Sequence, residues 1–178
     1  KVPLLIGIDG EWGLSMRLDS TPTFPRQMVL GSANEDTLVF LMGKEIGKHC
    51  RRLGIHMNFA PVVDVNNNPR NPVINDRSFG EDKYKVARMG TAYSHGMQSE
   101  KVMACAKHFP GHGDTDSDSH YSLPIIKKTL EQLDTLELYP FKELFKNGVM
   151  SVMNAHLFIP ALDSTPNLAS SISPKVVD

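Results

Sequence analysis

One short polar stretch, residues 107–120, contains the side chains best suited to chemistry in this chain. It reads Lys-His-Phe-Pro-Gly-His-Gly-Asp-Thr-Asp-Ser-Asp-Ser-His and therefore holds three histidines, three aspartates and a lysine. An apolar run over residues 102–106 precedes it, so the pattern predicts a buried strand that opens into a functional loop. A loop that only connects two elements has no need for so many ionisable side chains.

Asp118 and His120 are the strongest candidates for proton transfer within this stretch. Because they are two residues apart, an extended loop places both side chains on the same side. A carboxylate bonded to one ring nitrogen fixes the imidazole tautomer and supports its protonated form, and the other nitrogen can then exchange a proton near neutral pH. The alternative interpretation is a solvated loop with an incidental ion pair.

Metal binding is the other chemistry that such a stretch suggests. Its three alternating aspartates imitate the start of a calcium loop, but Ser119 stands where glycine is required and Ile125 where the bidentate glutamate is required. Its three histidines could converge on zinc, yet they lie in a predicted loop and not on a helix that would present an H-x-x-x-H pair. The sequence therefore predicts neither a metal nor another cofactor.

Further ionisable side chains follow the other predicted strands. Asp9, Glu11 and Arg17 come after the first strand, and Arg77 lies in a polar loop after the second. Guanidinium donors and carboxylates at several strand ends suit a ligand rich in hydroxyl groups, such as a sugar ring. Each arginine could equally form a surface ion pair, and Trp12 could offer either a stacking face or a packing surface.

Strand-like and helix-like segments alternate about four times along the chain. The predicted strands are residues 4–8, 55–60, 102–107 and 149–155, and the predicted helices are residues 35–53, 81–100 and 130–148. Ser32 or Asn34 is the expected N-cap of the first helix, and Pro140 is expected either to break the last helix or to mark a fresh helix start there. This repetition implies parallel strands joined by crossover helices.

The position of the ionisable residues favours one α/β architecture over another. They collect after every predicted strand, which is typical of a (β/α)8 TIM barrel, whereas a doubly wound sheet concentrates its site at one switch point. A whole barrel needs about 250 residues. The 178 residues therefore predict a single partial domain, an incomplete barrel over residues 1–178, whose open sheet edge could pair with another copy.

Composition excludes several other classes of protein. The net charge of −1 gives no support for binding to nucleic acid or to an anionic membrane. No apolar run approaches the roughly 20 residues of a membrane span, and no signal-peptide pattern opens the chain, so either a cytoplasmic or an exported location is compatible with the sequence. Cys50 and Cys105 lie in apolar patterns, which predicts buried free thiols.

Taken together, five motifs resemble the N-terminal barrel domain of family-3 glycoside hydrolases, in the β-N-acetylhexosaminidase branch. They are Gly-Ile-Asp-Gly-Glu at 7–11 with Arg17, Asn-Phe-Ala-Pro-Val-Val-Asp-Val at 58–65, Asp-Arg-Ser-Phe-Gly at 76–80, residues 107–120 and, more weakly, Asn-Ala-His at 154–156. The motifs appear in family order and span nearly the whole chain. In the first of them, Gly10 and Trp12 stand where many members have Gln and Gly.

The resemblance implies a retaining hydrolase that removes terminal β-linked N-acetylglucosamine from cell-wall fragments or other glycans. It implies that His120 is the general acid/base and that Asp118 is its partner. The positions that it implies for sugar binding are Asp9, Arg17, Arg77, Lys107 and His108. Three alternatives remain open on the same scaffold, namely a β-glucosidase, a glycosyl phosphorylase and a non-catalytic carbohydrate-binding module.

The resemblance also bears on what the chain can do by itself. The nucleophilic aspartate of the family lies further along the barrel than residue 178, and neither Asp163 nor Asp178 follows an apolar strand as a nucleophile should. The chain is therefore expected to end before the nucleophile and to be inactive alone.

Overall fold

The fold is built around four short parallel strands. In a computed structural model that describes residues 2–116 and 123–177, they are β1 (Gly7–Ile8), β2 (Met57–Asn58), β3 (Met103–Phe109) and β4 (Ser151–Asn154). Their order in the sheet is β1-β2-β3-β4, so each strand lies beside the next one in sequence. All three pairs are parallel, with Gly7 opposite Met57, Met57 opposite Met103 and Cys105 opposite Ser151.

Helices connect and flank these strands, as the alternating pattern predicts. They are α1 (Gln27–Ala33), α2 (Asp36–Arg52), α3 (Lys83–Ser99), α4 (Leu130–Thr135), α5 (Leu138–Lys146) and α6 (Pro174–Val177). Within the described residues the strand order never reverses, which distinguishes the sheet from a doubly wound one. The arrangement is that of a (β/α)8 TIM barrel with four of its eight strands, so the predicted fold class is confirmed.

The main core lies between the sheet and the pair α2 and α3. The buried positions of α2, including Val39, Met42 and Ile46, recur every three or four residues and so form one helical face. Gly43 allows α3 to come close, because a Cβ atom there would lie 2.4 Å from the carbonyl oxygen of Tyr93. This close contact fixes α3 beneath the loop that follows β1.

Two predicted details near the beginning of the chain are wrong. Leu4 and Leu5 are 83% and 65% exposed, because they precede β1 and nothing among the described residues covers them. Helix α1 was not expected, and Asn34 ends it in a left-handed conformation instead of starting α2. The residue before α2 is Glu35, whose side chain makes no capping hydrogen bond, so neither Ser32 nor Asn34 is the N-cap.

The helix predicted over residues 130–148 is divided in two, and a new helix begins at Leu138, so of the two predictions for Pro140 the fresh helix start agrees with the structure and a break at Pro140 itself does not. The break falls at Leu136 and Glu137, and Pro140 lies in the first turn of α5, where a missing N–H leaves no hydrogen bond unmade. Thr129 and Gln132 form a capping box that starts α4. The buried Glu137 at the break forms an ion pair with Lys128.

The remaining predictions concern the two cysteines, a membrane span and the open edge of the sheet. Both cysteines are free and buried, which confirms the prediction for Cys50 and Cys105. In the described ranges, no helix combines the length and apolar character needed to cross a membrane. Pairing of the open sheet edge with another copy stays a prediction.

Candidate functional site

A cleft of about 510 Å³ opens at the carboxyl ends of the four strands. It is lined by Asp9, Glu11, Trp12, Met16, Arg17, Val73, Arg77, Lys107, His108, His112, Met153, Asn154, Ala155 and His156. The five residues predicted to bind sugar are all in this set, although they come from three separate parts of the sequence. The cleft is therefore the candidate site.

Lys107 is the central cation of the floor of this cleft. Its side chain is only 3% exposed, and its Nζ lies 3.0 Å from Oδ1 of Asp9 and 2.8 Å from Oε1 of Glu11. Residue 107 can be buried because β3 brings it beside the residues that follow β1, and two carboxylates compensate its charge. Asp9 remains partly exposed and is also 3.6 Å from Arg17 at the edge of the cleft.

Glu11 is the buried anion that joins Lys107 to Arg77. The Nε and Nη2 atoms of Arg77 donate to the two carboxylate oxygens of Glu11, at 2.9 and 2.7 Å. Burial disfavours the charged form of Glu11, but the hydrogen bonds from Arg77 and the charges of Lys107 and Arg77 outweigh it and lower its pKa to about 2. The Glu11 carboxylate is therefore ionised throughout the physiological pH range.

The carboxylate of Asp64 accepts hydrogen bonds from the first part of the 107–120 stretch. It is fully buried, and its Oδ1 accepts a hydrogen bond from the backbone N–H of His112 at 2.7 Å. Its Oδ2 lies 2.7 Å from Nδ1 of His108, and both oxygens lie 3.2 Å from the backbone N–H of His108. Burial raises the pKa of Asp64, but the His108 charge and hydrogen bond, with help from His112, lower it below its ordinary value.

The contact with Asp64 sets which nitrogen of His108 faces the ligand. With Nδ1 bonded to Asp64, Nε2 is left toward the cleft, 3.5 Å from Nη2 of Arg77. His108 is therefore oriented as a polar contact for a bound molecule. This orientation depends on Asp64, which belongs to the motif at 58–65 but to which the sequence analysis assigns no role.

His112 is a second buried imidazole, and it lies four residues after His108 in the same stretch. Its Nδ1 is 2.7 Å from Oγ1 of Thr115, and its Nε2 is buried without a hydrogen-bond partner among residues 2–116 and 123–177. Burial lowers the pKa of His112 below its ordinary value. The imidazole is therefore held mainly in its neutral form beside the cleft.

Three buried polar side chains hold the backbone that carries Glu11. Asn58 accepts a hydrogen bond from the N–H of Gly10 at 2.8 Å, and it donates to the carbonyl of Gly10 at 3.0 Å. The carbonyl of Glu11 accepts from Tyr93 at 3.1 Å and from Gln27 at 2.8 Å. These roles were not predicted, and the available signal was the polar Asn58 between the apolar residues Met57 and Phe59 of a predicted strand.

The two predicted catalytic residues cannot be placed in this geometry. Asp118 and His120 lie outside the described residues, so their assignment as an acid/base pair stays a prediction. Asp114, which precedes them, is anchored by Lys128 at 2.9 Å, and Lys128 also pairs with Glu137. No group of three or more His, Cys, Asp or Glu side chains within the described part of the chain is arranged to hold a metal ion.

Comparison with known proteins gives a consistent family. The model of the family described as "Glycosyl hydrolase family 3 N terminal domain" matches residues 1–177. The chain is 39% identical over 171 residues to beta-hexosaminidase A of Pseudoalteromonas piscicida, and 35% identical over 160 residues to a beta-N-acetylglucosaminidase/beta-glucosidase of Cellulomonas fimi. These matches cover 93% and 90% of this chain.

A solved structure agrees with the sequence relatives. The glycoside hydrolase family 3 beta-N-acetylglucosaminidase from Paenibacillus sp. str. FPU-7 superposes with a TM-score of 0.94 at 47% identity over 98% of this chain. The chain spans 33% of that protein, 29% of the Pseudoalteromonas relative and 28% of the Cellulomonas relative. The matched region is therefore about a third of each of these longer proteins.

Proposed function

The chain belongs to the family of glycosyl hydrolase family 3 N-terminal domains, and on this premise we propose that it is the sugar-binding part of a retaining β-N-acetylhexosaminidase. Its substrate would be terminal β-linked N-acetylglucosamine in cell-wall fragments or other glycans. The observation that carries the proposal is the ionic floor of the cleft, made of Asp9, Glu11, Arg77, Lys107 and His108. Relatives named for hexosaminidase activity support the same choice of sugar.

The floor is suited to hold a pyranose ring by its hydroxyl groups. Asp9 offers carboxylate oxygens, and Lys107 and Arg77 offer N–H donors, so each hydroxyl can both donate and accept. Hydrogen bonds to charged partners are roughly twice as strong as neutral ones. The positive charges of Arg77 and Lys107 are already compensated by Glu11 before a sugar binds. The sugar therefore binds to groups that are already ordered, which reduces the entropic cost of binding.

The acid/base step is assigned to His120 with Asp118 as its partner. In the first half of the reaction the imidazolium would donate a proton to the glycosidic oxygen while that oxygen leaves the anomeric carbon and the carboxylate nucleophile bonds to it. In the second half the neutral imidazole would accept a proton from water as the water oxygen bonds to the anomeric carbon and the bond to the nucleophile breaks. A neutral base repels an incoming anion less than a carboxylate would, so phosphate could replace water and make the enzyme a phosphorylase.

The nucleophile of a retaining mechanism must be a carboxylate whose oxygen is free to attack the sugar. Among the described residues, the carboxylates that line the cleft are those of Asp9 and Glu11, and both form ion pairs with cations of the floor. The resemblance to the family implies a nucleophile further along the barrel than residue 178, and we propose that it lies in the part of the longer relatives that this chain does not match. The 178-residue chain should accordingly bind the sugar without turning it over.

The test is hydrolysis by the polypeptide extended to the length of its relatives. Aryl β-N-acetylglucosaminide and aryl β-glucoside would be compared with and without phosphate, and the unextended chain would serve as the control. The expected result is that the extended protein hydrolyses the N-acetyl substrate and that the 178-residue chain does not. His120→Ala should then reduce kcat by about 10²- to 10⁴-fold, most for poor leaving groups. Equal losses for good and poor leaving groups would contradict the role of His120.

A β-glucosidase is the second candidate, because the Cellulomonas relative is named for both activities. A preference of the extended protein for the glucoside would favour this candidate while leaving the ionic floor unchanged. If the folded extended protein hydrolyses neither glycoside, the remaining interpretation is a non-catalytic carbohydrate-binding module. Turnover by the 178-residue chain itself would overturn the assignment of the nucleophile.

A further inference from the structure

A second ionic cluster contacts the 107–120 stretch but does not line the cleft. It consists of Asp114, Lys128 and Glu137. Nζ of Lys128 lies 2.9 Å from Oδ2 of Asp114 and also forms an ion pair with Oε1 of Glu137. The side chains of Lys128 and Glu137 are only 17% and 1% exposed. Because solvent screens such charges weakly, their geometry matters more than that of a surface ion pair.

Glu137 ties the start of α5 to the same stretch. A Cβ atom at Gly111 would lie 2.7 Å from the Cβ of Glu137, and Gly111 has a φ of +130°, at which a side chain would be strained. Oε1 of Glu137 also accepts a hydrogen bond from Nδ2 of Asn67 at 3.1 Å, in the loop that follows β2. A buried carboxylate is costly unless it is paired, so Glu137 requires Lys128 in this position. The cluster therefore joins the stretch to two other elements.

The cluster also joins the two parts of the chain that flank the predicted acid/base pair. Asp114 precedes Asp118 and His120 in the sequence, and Lys128 follows them. The ion pair between Asp114 and Lys128 therefore fixes the distance between the two ends of the segment 115–127.

Hydrogen bonds hold the backbone at both ends of that segment. The carbonyl of Thr115 accepts a hydrogen bond from Nδ2 of Asn68 at 3.3 Å. The N–H of Ile126 donates to the carbonyl of Phe158 at 3.0 Å. Each end is thus bonded to a different loop, and the ionic cluster links the two ends to each other.

We propose that Asp114, Lys128 and Glu137 position the acid/base pair of the reaction, by holding the segment that carries it at a fixed place beside the cleft. The inference rests on the proposed function and adds positioning residues to it, because none of the three lines the cleft. A general acid must lie within hydrogen-bond distance of the oxygen that it protonates, and a displacement of about 1 Å can cost about 100-fold in rate. Loss of the cluster should therefore weaken proton donation and leave the ionic floor intact.

Two substrates that differ in their need for proton donation test this role. Methyl β-N-acetylglucosaminide has a poor leaving group that must be protonated, whereas the leaving group of 2,4-dinitrophenyl β-N-acetylglucosaminide departs without a proton. In the polypeptide extended to the length of its relatives, Asp114→Asn should lower kcat/KM for the methyl glycoside about ten-fold. The same variant should change kcat/KM for the dinitrophenyl glycoside less than about two-fold. His120→Ala should give the same pattern with a larger loss.

A double variant separates positioning from stability. Lys128→Met alone leaves the buried Glu137 without its cation and so destabilises the fold. Lys128→Met combined with Glu137→Gln removes both charges, so the stability measured by urea denaturation should partly return. Asp114 has still lost its partner in the double variant, so the roughly ten-fold loss on the methyl glycoside should persist. The matched control is Asp134→Asn, which removes a carboxylate from an exposed ion pair with Lys142 and should affect neither substrate.

Three results would overturn the proposal. They are equal losses on the two substrates in Asp114→Asn, no loss on either substrate, and activity of the double variant that returns together with its stability. Any of these results, with His120→Ala behaving as expected, rejects the inference and leaves the proposed function standing. If His120→Ala shows no dependence on the leaving group, or if the extended wild-type protein hydrolyses neither glycoside, the proposed function fails, and this inference fails with it.

Discussion

Replacing Glu11 with Gln should destabilise the fold by an amount that depends on pH. The substitution keeps the shape of the side chain but removes the buried charge that compensates Arg77 and Lys107. The native environment lowers the pKa of Glu11 from 4.5 to about 2. Since one pKa unit corresponds to about 1.4 kcal/mol, the ionised carboxylate contributes about 3 kcal/mol to stability at pH 7.

The direction of the pH dependence follows from the sign of this change. A carboxyl group whose pKa is lower in the folded state than in the unfolded state stabilises the fold above its unfolded pKa. That contribution is lost as the pH falls toward the folded pKa, so for Glu11 it disappears between about pH 4.5 and pH 2. The difference between wild type and Glu11→Gln should therefore be about 3 kcal/mol at pH 7 and less than half of that at pH 3.

Urea denaturation followed by circular dichroism at pH 7 and pH 3 measures this difference. The matched control is Glu45→Gln, which removes a carboxylate from an exposed ion pair with Lys48 and should have a much smaller effect, because solvent screens that pair. The same difference at both pH values, or one below about 1 kcal/mol at pH 7, would refute the argument that Glu11 is stabilised as an anion by its two cations.

Three other measurements test separate parts of the structure. Lys128→Met should lower the free energy of unfolding by about 3 kcal/mol, because it leaves the buried Glu137 without its cation, and adding Glu137→Gln should recover part of that loss in urea denaturation. Gly113→Ala should cost at least about 2 kcal/mol in the same assay, because its Cβ would lie 1.8 Å from the carbonyl oxygen of Val65; an unchanged midpoint would contradict this packing. The imidazole of His112 should titrate below pH 6.5 in an NMR experiment, because burial lowers its pKa; a midpoint above that value would contradict its burial as a neutral ring.

The sequence was sufficient to predict the fold class and five of the residues that line the cleft. Four apolar runs, each followed by ionisable residues, predicted parallel strands whose carboxyl ends gather on one side. Asp9 and Lys107 are 98 positions apart, yet they are in contact for this reason alone. The argument needs only the order of the elements, so errors of a few residues in strand length, such as that at Leu4, did not affect it.

The supporting contacts could not be predicted in the same way. Tyr93 lies on the buried face of α3, where a sequence pattern shows only an apolar position, and its hydroxyl reaches the carbonyl of Glu11, 82 positions earlier. Asp64 resembles an ordinary turn residue until the structure shows three N–H groups of His108 and His112 directed at it. Such roles depend on distances between elements, and periodicity within one element carries no information about them.

The cleft has an ionic floor and a partly exposed apolar rim, which consists of Trp12, Met16 and Val73. This division bears on how such a site can change over evolution. A substitution at Glu11 or Lys107 takes from the other, buried residue one of its two charged partners, so a second, compensating substitution is expected to accompany it. Trp12, Met16 and Val73 carry no charge and can be replaced one at a time at small cost to stability. The charged residues of the floor are therefore expected to change together, and the uncharged residues of the rim one at a time.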